Sequence, residues 1–190
     1  RRPRSVLFRK LYDRADLPCK VDHDRAGRTG LRWTLDPATL DVSFFLPIFI
    51  DGLVEIEEPY RMLSDRGITA LLEASPQDVA GAIPRLILPL KCSLRSRDPA
   101  TLRRGLTTLC ALAKCSPEAG AALVGYFHQL LPPLNHIMHQ GPGGRWSGAD
   151  EGGGKSVYAS VLAALRTVEA HGGSDALKAI KFNIPTYQRL

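Results

Sequence analysis

The sequence predicts an all-α fold, and three observations support this. Leu and Ala recur at helical spacing while aromatic residues make up only 7% of the chain, which favours helices over a sheet as the source of the core. An Asp or Ser followed by Pro, a helix-start signal, occurs at Asp36-Pro37, Ser75-Pro76, Asp98-Pro99 and Ser116-Pro117. Prolines in apolar helical contexts recur after 37 residues, from Pro47 to Pro84, and after 43 residues, from Pro89 to Pro132. Because armadillo and HEAT repeats have a period of about 40 to 47 residues, we expect a helical repeat of that type.

Residues 1–35 are predicted to form a basic N-terminal arm and a hairpin-like segment outside the helical body. Ser5 to Tyr12 has the composition of a short helix, which ends before Pro18. Val21 to Leu35 combines turn residues with an alternating apolar pattern at its end, which predicts a small hairpin or an irregular turn. Two strands alone are marginally stable, so this segment is expected to be an appendage.

Residues 36–190 are predicted to form the helical-repeat domain. Successive helices are expected near residues 40–56, 59–74, 77–96, 99–114, 117–139 and 156–171, with a last short helix from Ser174 to Lys181. Residues 140–154 are rich in Gly and are expected to be a loop. An isolated Trp146 in this loop is either an anchor for a partner or a side chain that docks back onto the body.

The formal net charge of +6 is concentrated in the first 35 residues, which hold ten Lys or Arg and four Asp or Glu. A basic extension with few apolar residues favours a polyanionic partner, such as nucleic acid or an acidic protein surface. The candidate contacts of the arm are Arg1, Arg2, Arg4, Arg9, Lys10 and Arg14. A second basic run, which is either a solvated face or a binding surface, comprises Arg85, Lys91, Arg95, Arg97, Arg103 and Arg104.

Length and composition bound the class of protein. A chain of 190 residues with 44% hydrophobic content is long enough for one domain with a sizeable core. It has no run of about 18 to 20 uncharged apolar residues, so we expect a soluble protein without a membrane partner. The four cysteines show no C-x-x-C spacing, which favours reduced thiols in the cytosol. Because the sequence does not begin with Met, it is expected to be part of a longer polypeptide.

Chemical motifs are weak, and the sequence predicts no catalytic residue, metal or cofactor. Ala149 to Ser156 fits a relaxed phosphate-loop pattern that ends in Lys155 and Ser156. A phosphate loop must leave a buried strand, whereas the residues before this segment are Gly, Pro and polar, so a loop followed by a helix start is expected. His128, His136 and His139 lack a further ligand at zinc spacing. An enzyme is therefore not expected.

A series of short motifs extends along nearly the whole chain. They comprise Phe8-Arg9-Lys10-Leu11-Tyr12, Leu17-Pro18, Asp22-His23-Asp24 with Trp33, Leu46-Pro47-Ile48-Phe49-Ile50-Asp51-Gly52-Leu53, Pro59-Tyr60, Leu86-Ile87-Leu88-Pro89-Leu90-Lys91, Leu130-Leu131-Pro132-Pro133-Leu134-Asn135, His171-Gly172-Gly173, Ile180-Lys181 and Ile184-Pro185-Thr186-Tyr187. Together these motifs resemble the parkin co-regulated protein family. Each motif alone is weak, but their order and spacing make the resemblance specific. Gly141 to Gly154 departs from the family pattern, and the resemblance does not separate the main family from its shorter paralogue.

The resemblance implies an armadillo-like structural protein of the ciliary and flagellar axoneme. Such a protein binds α/β-tubulin at the inner junction between the A- and B-tubules of the doublet, alternates with a small partner protein and contacts other axonemal proteins. The basic residues would then face acidic tubulin, and nucleic acid would not be a partner. The alternative from the residues alone is a soluble armadillo-type adaptor, in which the basic run from Arg85 to Arg104 binds an acidic peptide or a transport partner.

Overall fold

The computed structural model describes residue 5 and residues 7–23, 29–145 and 156–188, and this part of the chain is mostly helical. The elements are α1 (Leu7–Asp13), β1 (Cys19–His23), β2 (Thr29–Trp33), α2 (Val42–Asp51), α3 (Tyr60–Ala74), α4 (Val79–Leu94), α5 (Pro99–Cys115), α6 (Pro117–Val124), α7 (Phe127–Leu130), α8 (Pro132–Gln140), α9 (Val157–His171) and α10 (Ala176–Asn183). The strands pair antiparallel, with Cys19 opposite Trp33 and His23 opposite Thr29. A mostly helical fold with a small hairpin is therefore confirmed.

Helix starts follow the local capping signals. The Asp98 carboxylate accepts a hydrogen bond of 2.8 Å from the Thr101 backbone N–H at the start of α5, and Ser116 caps α6 in the same way through Ala119. Asp36-Pro37 opens only a 3₁₀ turn at Pro37–Thr39, and Asp41 supplies the cap of α2. Ser75-Pro76 also opens a 3₁₀ turn, without a side-chain cap.

The core lies between α2, α4, α5 and α9, which pack on one another in that order. Leu46, Leu90, Leu109 and Leu165, one from each helix, are fully buried. Pro47, Pro84 and Pro89 lie inside α2 and α4, as the sequence predicts. Within the ranges given above, no helix is long and apolar enough to cross a membrane.

The helix expected over residues 117–139 is divided into α6, α7 and α8. A turn at Gly125 and Tyr126 separates α6 from α7, and Pro132 occupies the first turn of α8. Proline has no N–H to donate to the preceding turn but suits a first helical turn. Pro132 therefore begins a helix, whereas the prolines of α2 and α4 lie inside theirs.

The described part of residues 1–35 is built into the core, which differs from the predicted separate arm. Phe8 on α1 is fully buried and its ring centroid lies 5.5 Å from that of Phe49. Trp33 on β2 packs on the same Phe49 ring at 5.6 Å, and Cys19 on β1 is buried. Helix α1 and the hairpin thus cover one end of the helical body.

Candidate functional site

A basic groove of about 950 Å³ lies between the end of α4 and the α7–α8 segment. We call it the α4–α8 groove. Among the residues that the structure describes, its lining contains four cationic side chains and two histidines but no Asp or Glu. The lining residues are Lys91, Leu94, Arg95, Ser96, Arg97, Leu102, His128, Gln129, Pro132, Pro133, His136, Ile137, Gln140 and Arg145.

The basic wall of the groove follows from the way α4 ends. Leu94 faces the core and is 2% exposed, whereas Arg95 and Arg97, in the short turn before α5, are exposed. This turn is held by the Ser96 hydroxyl, which accepts a hydrogen bond of 3.1 Å from the Asp98 backbone N–H. The Asp98 carboxylate is occupied in capping α5, where it also accepts a bond from the Thr101 hydroxyl at 2.7 Å. The acidic residue in the basic run therefore serves the helix start and does not line the groove.

The floor and far wall of the groove are apolar and weakly polar. Leu94, Leu102 and Ile137 are nearly fully buried and close the bottom. Gln129 and Gln140 stand beside His128 and His136 at 3.3 and 3.4 Å, measured between side-chain nitrogens. Such a surface offers attraction to anionic groups along its rim and apolar contacts at its base. This arrangement suits an extended, negatively charged peptide segment.

The other members of the second basic run do not line the groove. Arg85 is exposed on α4 and donates from Nη1 to the Ser43 carbonyl at 3.4 Å. Arg103 is half-buried on α5 and lies outside the lining. The predicted run thus separates into groove residues, one exposed arginine near α2 and two arginines on α5.

Arg104 belongs to the fold. Its side chain is 13% exposed and its Nε donates to the Asp65 carboxylate at 2.8 Å. Nη1 donates to the carbonyl oxygens of Leu53 and Glu55 at 2.9 and 2.6 Å, and Nη2 donates to that of Arg61 at 3.2 Å. The guanidinium group therefore joins α5 to the chain that runs from α2 into α3, and we remove Arg104 from the candidate partner contacts.

Arg9 also serves the fold. Its guanidinium donates to the carboxylates of Glu55 and Glu57, and the carbon at its centre lies 4.1 Å from the centroid of the Tyr60 ring. The hydrogen bond with Glu55 raises the pKa of Arg9, and Glu55 itself is only 1% exposed. The structure therefore corrects the predicted arm contacts at Arg9, because the charge of this residue is matched inside the molecule.

The remaining predicted contacts of the arm have different positions. Lys10 is exposed on α1, and Arg14 is exposed and pairs with Asp16 at 3.0 Å. Arg1, Arg2, Arg4 and Trp146 lie outside the described residues, as do residues 149–155 of the phosphate-loop match. Ser156, at the end of that match, caps α9 by accepting a hydrogen bond from the Ala159 N–H at 3.1 Å, which confirms the predicted helix start.

Sequence reasoning missed the α7–α8 side of the groove. The spacing of His128 and His136 along the sequence suggests only a possible metal site. In the described ranges, no group of three His, Cys, Asp or Glu is arranged to hold a metal ion. Arg145 stands 41 residues after Arg104 and was not connected with the basic run. These residues come together only in the folded chain, where α7 packs on α4 and α8, which follows α7, lines the same groove.

The four cysteines are free thiols in distinct environments. Burial raises the pKa of Cys19 to about 12 and also raises the pKa of Cys110 and Cys115. Cys92 is exposed on α4. A thiol with a raised pKa is a poor nucleophile. Cys19, Cys110 and Cys115 therefore have environments typical of structural cysteines and not of reactive ones.

Comparison with known proteins places the whole chain in one family. The family model described as "Parkin co-regulated protein" matches residues 6–189. A curated mouse protein, "Parkin coregulated gene protein homolog" of Mus musculus, is 33% identical over 189 residues, covering 97% of this chain and 77% of the mouse protein. The chain belongs to the parkin co-regulated protein family.

Proposed function

We propose that this protein is a structural, non-catalytic microtubule-associated protein of cilia and flagella. In this role it binds tubulin at the inner junction between the A- and B-tubules of the axonemal doublet, together with a small partner protein. Membership of the family over residues 6–189 is the observation that carries the proposal. The α4–α8 groove adds a physical reason, because its positive rim complements acidic tubulin surfaces and such complementarity speeds and orients association.

The proposal includes an armadillo-like arrangement of the helices. It is supported by the prolines inside α2 and α4, two helices that pack directly on each other. Pro132, which begins α8, departs from this pattern. Repeat proteins of this kind bind partners along extended surfaces, and the α4–α8 groove is one such surface.

Microtubule co-sedimentation tests the groove. Reversing two charges in its rim, with Arg95→Glu and Arg97→Glu together, is expected to weaken binding at least about tenfold, because close opposite charges become like charges. The matched control is Lys114→Glu with Lys178→Glu, which changes the net charge equally at exposed positions on α5 and α10. Equal binding by the two double variants would remove the groove from the proposed site, and no binding by the unaltered protein would contradict the proposed function.

A deletion that tests binding by the arm must be shorter than the stretch from Arg1 to Arg14 that holds the predicted contacts. Removing residues 1–14 would also remove Phe8 from the core, so any loss of binding would be confounded by loss of stability. Deletion of residues 1–4 removes Arg1, Arg2 and Arg4 and spares α1. Weaker co-sedimentation is expected, with thermal unfolding as the control. A cryo-EM map of intact axonemes, searched for this helical body between the tubules, tests the inner-junction position.

A soluble adaptor is the second candidate, and the concave α4–α8 groove is the observation that supports it. A positive rim over an apolar floor fits a single acidic peptide as well as a tubulin surface. Cell fractionation distinguishes the two candidates. Recovery of the protein with detergent-extracted axonemes supports the microtubule role, whereas recovery in the soluble pool supports the adaptor.

A further inference from the structure

The docking of α1 involves a buried carboxylate, that of Glu55, and a second carboxylate, that of Asp51. Ser5 is 6% exposed, and both its backbone N–H and its hydroxyl donate to Glu55 Oε1, at 2.8 and 2.6 Å. Arg9 binds the other oxygen of the same carboxylate. In addition, the backbone N–H groups of Leu7 and Phe8 donate to Asp51 Oδ2 at 3.1 and 3.2 Å. The start of α1 is thus held by two carboxylates.

The sequence before Ser5 is strongly basic. Arg1, Arg2 and Arg4 stand four, three and one positions before the Ser5 hydroxyl. Serine/threonine kinases choose substrates partly by charge pattern, and those with acidic substrate grooves select arginines at such positions. Thr107 also follows two arginines, at the same distances of four and three residues, but it lies within helix α5. It therefore provides a comparison between a segment that precedes a helix and a helix interior.

We propose that Ser5 is a phosphorylation site for an arginine-directed serine/threonine kinase, and that phosphorylation releases residues 5–13 from the helical body. In the transfer from ATP, a bond forms between Ser5 Oγ and the γ-phosphorus while the bond from that phosphorus to the β,γ-bridging oxygen breaks. ADP leaves, and the hydroxyl proton passes to the base of the kinase. The docked hydroxyl is buried, so the transfer takes place when residues 5–13 open locally.

The phosphate removes one of the contacts that hold the segment and places a like charge beside another. The hydroxyl donor to Glu55 is lost, and a group with about −1.5 to −2 charges at neutral pH then faces a carboxylate that is 1% exposed. Arg9, one helical turn after Ser5, is drawn toward the phosphate and away from Glu55. Release exposes Phe8, whose ring is fully buried in the docked state. This inference concerns the fold and its modification, and it stands independently of the proposed function.

The experiment uses the full chain, ATP and an arginine-directed kinase. Intact mass and peptide mapping locate the phosphate, and amide hydrogen exchange reports on α1 and, as an internal control, on α9. We expect phosphate on Ser5 that is absent in Ser5→Ala and retained in Thr107→Ala. The amides of residues 7–13 should exchange at least about tenfold faster after phosphorylation, with exchange in α9 unchanged.

Three results would overturn the proposal. These are absence of phosphate from Ser5, unchanged exchange of residues 7–13 in the phosphorylated protein, and equally faster exchange in α9, which would indicate unfolding of the whole body. Unmodified Ser5→Ala separates loss of one hydrogen bond from the effect of added charge. Its exchange in α1 should rise much less than that of the phosphorylated protein.

Discussion

Replacing Arg104 with alanine is expected to destabilise the protein strongly, although the residue lies on the surface side of α5. The side chain is 13% exposed, and its donors reach the carbonyl oxygens of Leu53, Glu55 and Arg61 as well as the Asp65 carboxylate. These acceptors lie between the end of α2 and the middle of α3. Alanine removes every one of these contacts and leaves the carbonyl groups without their donor.

The expected loss is about 3 kcal/mol of unfolding free energy. Hydrogen bonds from a charged donor contribute about 1.5–3 kcal/mol each, and we count in full only the two to the Leu53 and Glu55 carbonyls, toward the lower end of that range. The bond to the exposed Arg61 carbonyl adds little, because water replaces the donor. The ion pair with Asp65, whose side chain is 44% exposed, adds at most about 1 kcal/mol.

Urea unfolding followed by far-UV circular dichroism measures this loss. Arg97→Ala is the matched control, since Arg97 is an exposed arginine in the turn before the same helix, and it should change stability by no more than about 0.5 kcal/mol. If Arg104→Ala costs less than about 1 kcal/mol, the carbonyl bonds contribute little and the structural role assigned to Arg104 is wrong.

Two further predictions concern packing and thiol chemistry. A Cβ added at Gly67 would lie 2.2 Å from the Phe49 ring, which is too close for two carbon atoms, whereas a Cβ added at Gly81 would have no neighbouring atom within 4 Å. Gly67→Ala should therefore cost about 1–3 kcal/mol or more and Gly81→Ala should stabilise α4 by about 0.5–1 kcal/mol, both measured by urea unfolding; similar effects at the two sites would contradict the packing. In native protein at pH 8, a thiol reagent should label Cys92 first and leave Cys19 unlabelled, as checked by peptide mass mapping. Since the folded pKa of Cys19 is raised from 9.0 to about 12, its contribution to stability is complete below pH 9 and is lost as pH rises toward 12, which alkaline unfolding curves should show.

The helix starts were predictable from the sequence because capping is local. Asp98-Pro99 and Ser116-Pro117 place an acceptor side chain and a proline within one turn of the N–H groups that need a partner. The same signal failed in part at Ser75-Pro76, where a 3₁₀ turn precedes α4. The division of residues 117–139 was missed because an apolar helical pattern continues through Gly125 and Pro132.

Ion pairing between distant segments was not predictable in this way. Glu55 stands near Asp51, Glu57 and Glu58 in the sequence, and such a run of charge is usually a solvated face. Glu55 is nevertheless 1% exposed and binds Ser5 and Arg9, which stand 50 and 46 residues away. The α4–α8 groove is similar, because Arg95 and Arg145 line one groove only when α7 packs on α4. Spacing along the chain carries no signal for either contact.

Formal charge therefore does not separate arginines that stabilise this fold from those available to a partner. Arg104 stands in the same basic run as Arg95 and Arg97, and Arg9 stands in the basic arm. The guanidinium groups of Arg9 and Arg104 are nevertheless satisfied by carboxylates and carbonyls of the same molecule. A guanidinium group bound in this way has little to offer a partner, since a new contact would have to break an existing one. It follows that stability and binding should respond to different substitutions. Loss of Arg104 lowers the unfolding free energy, whereas charge reversal at Arg95 and Arg97 weakens partner binding and leaves the unfolding free energy nearly unchanged.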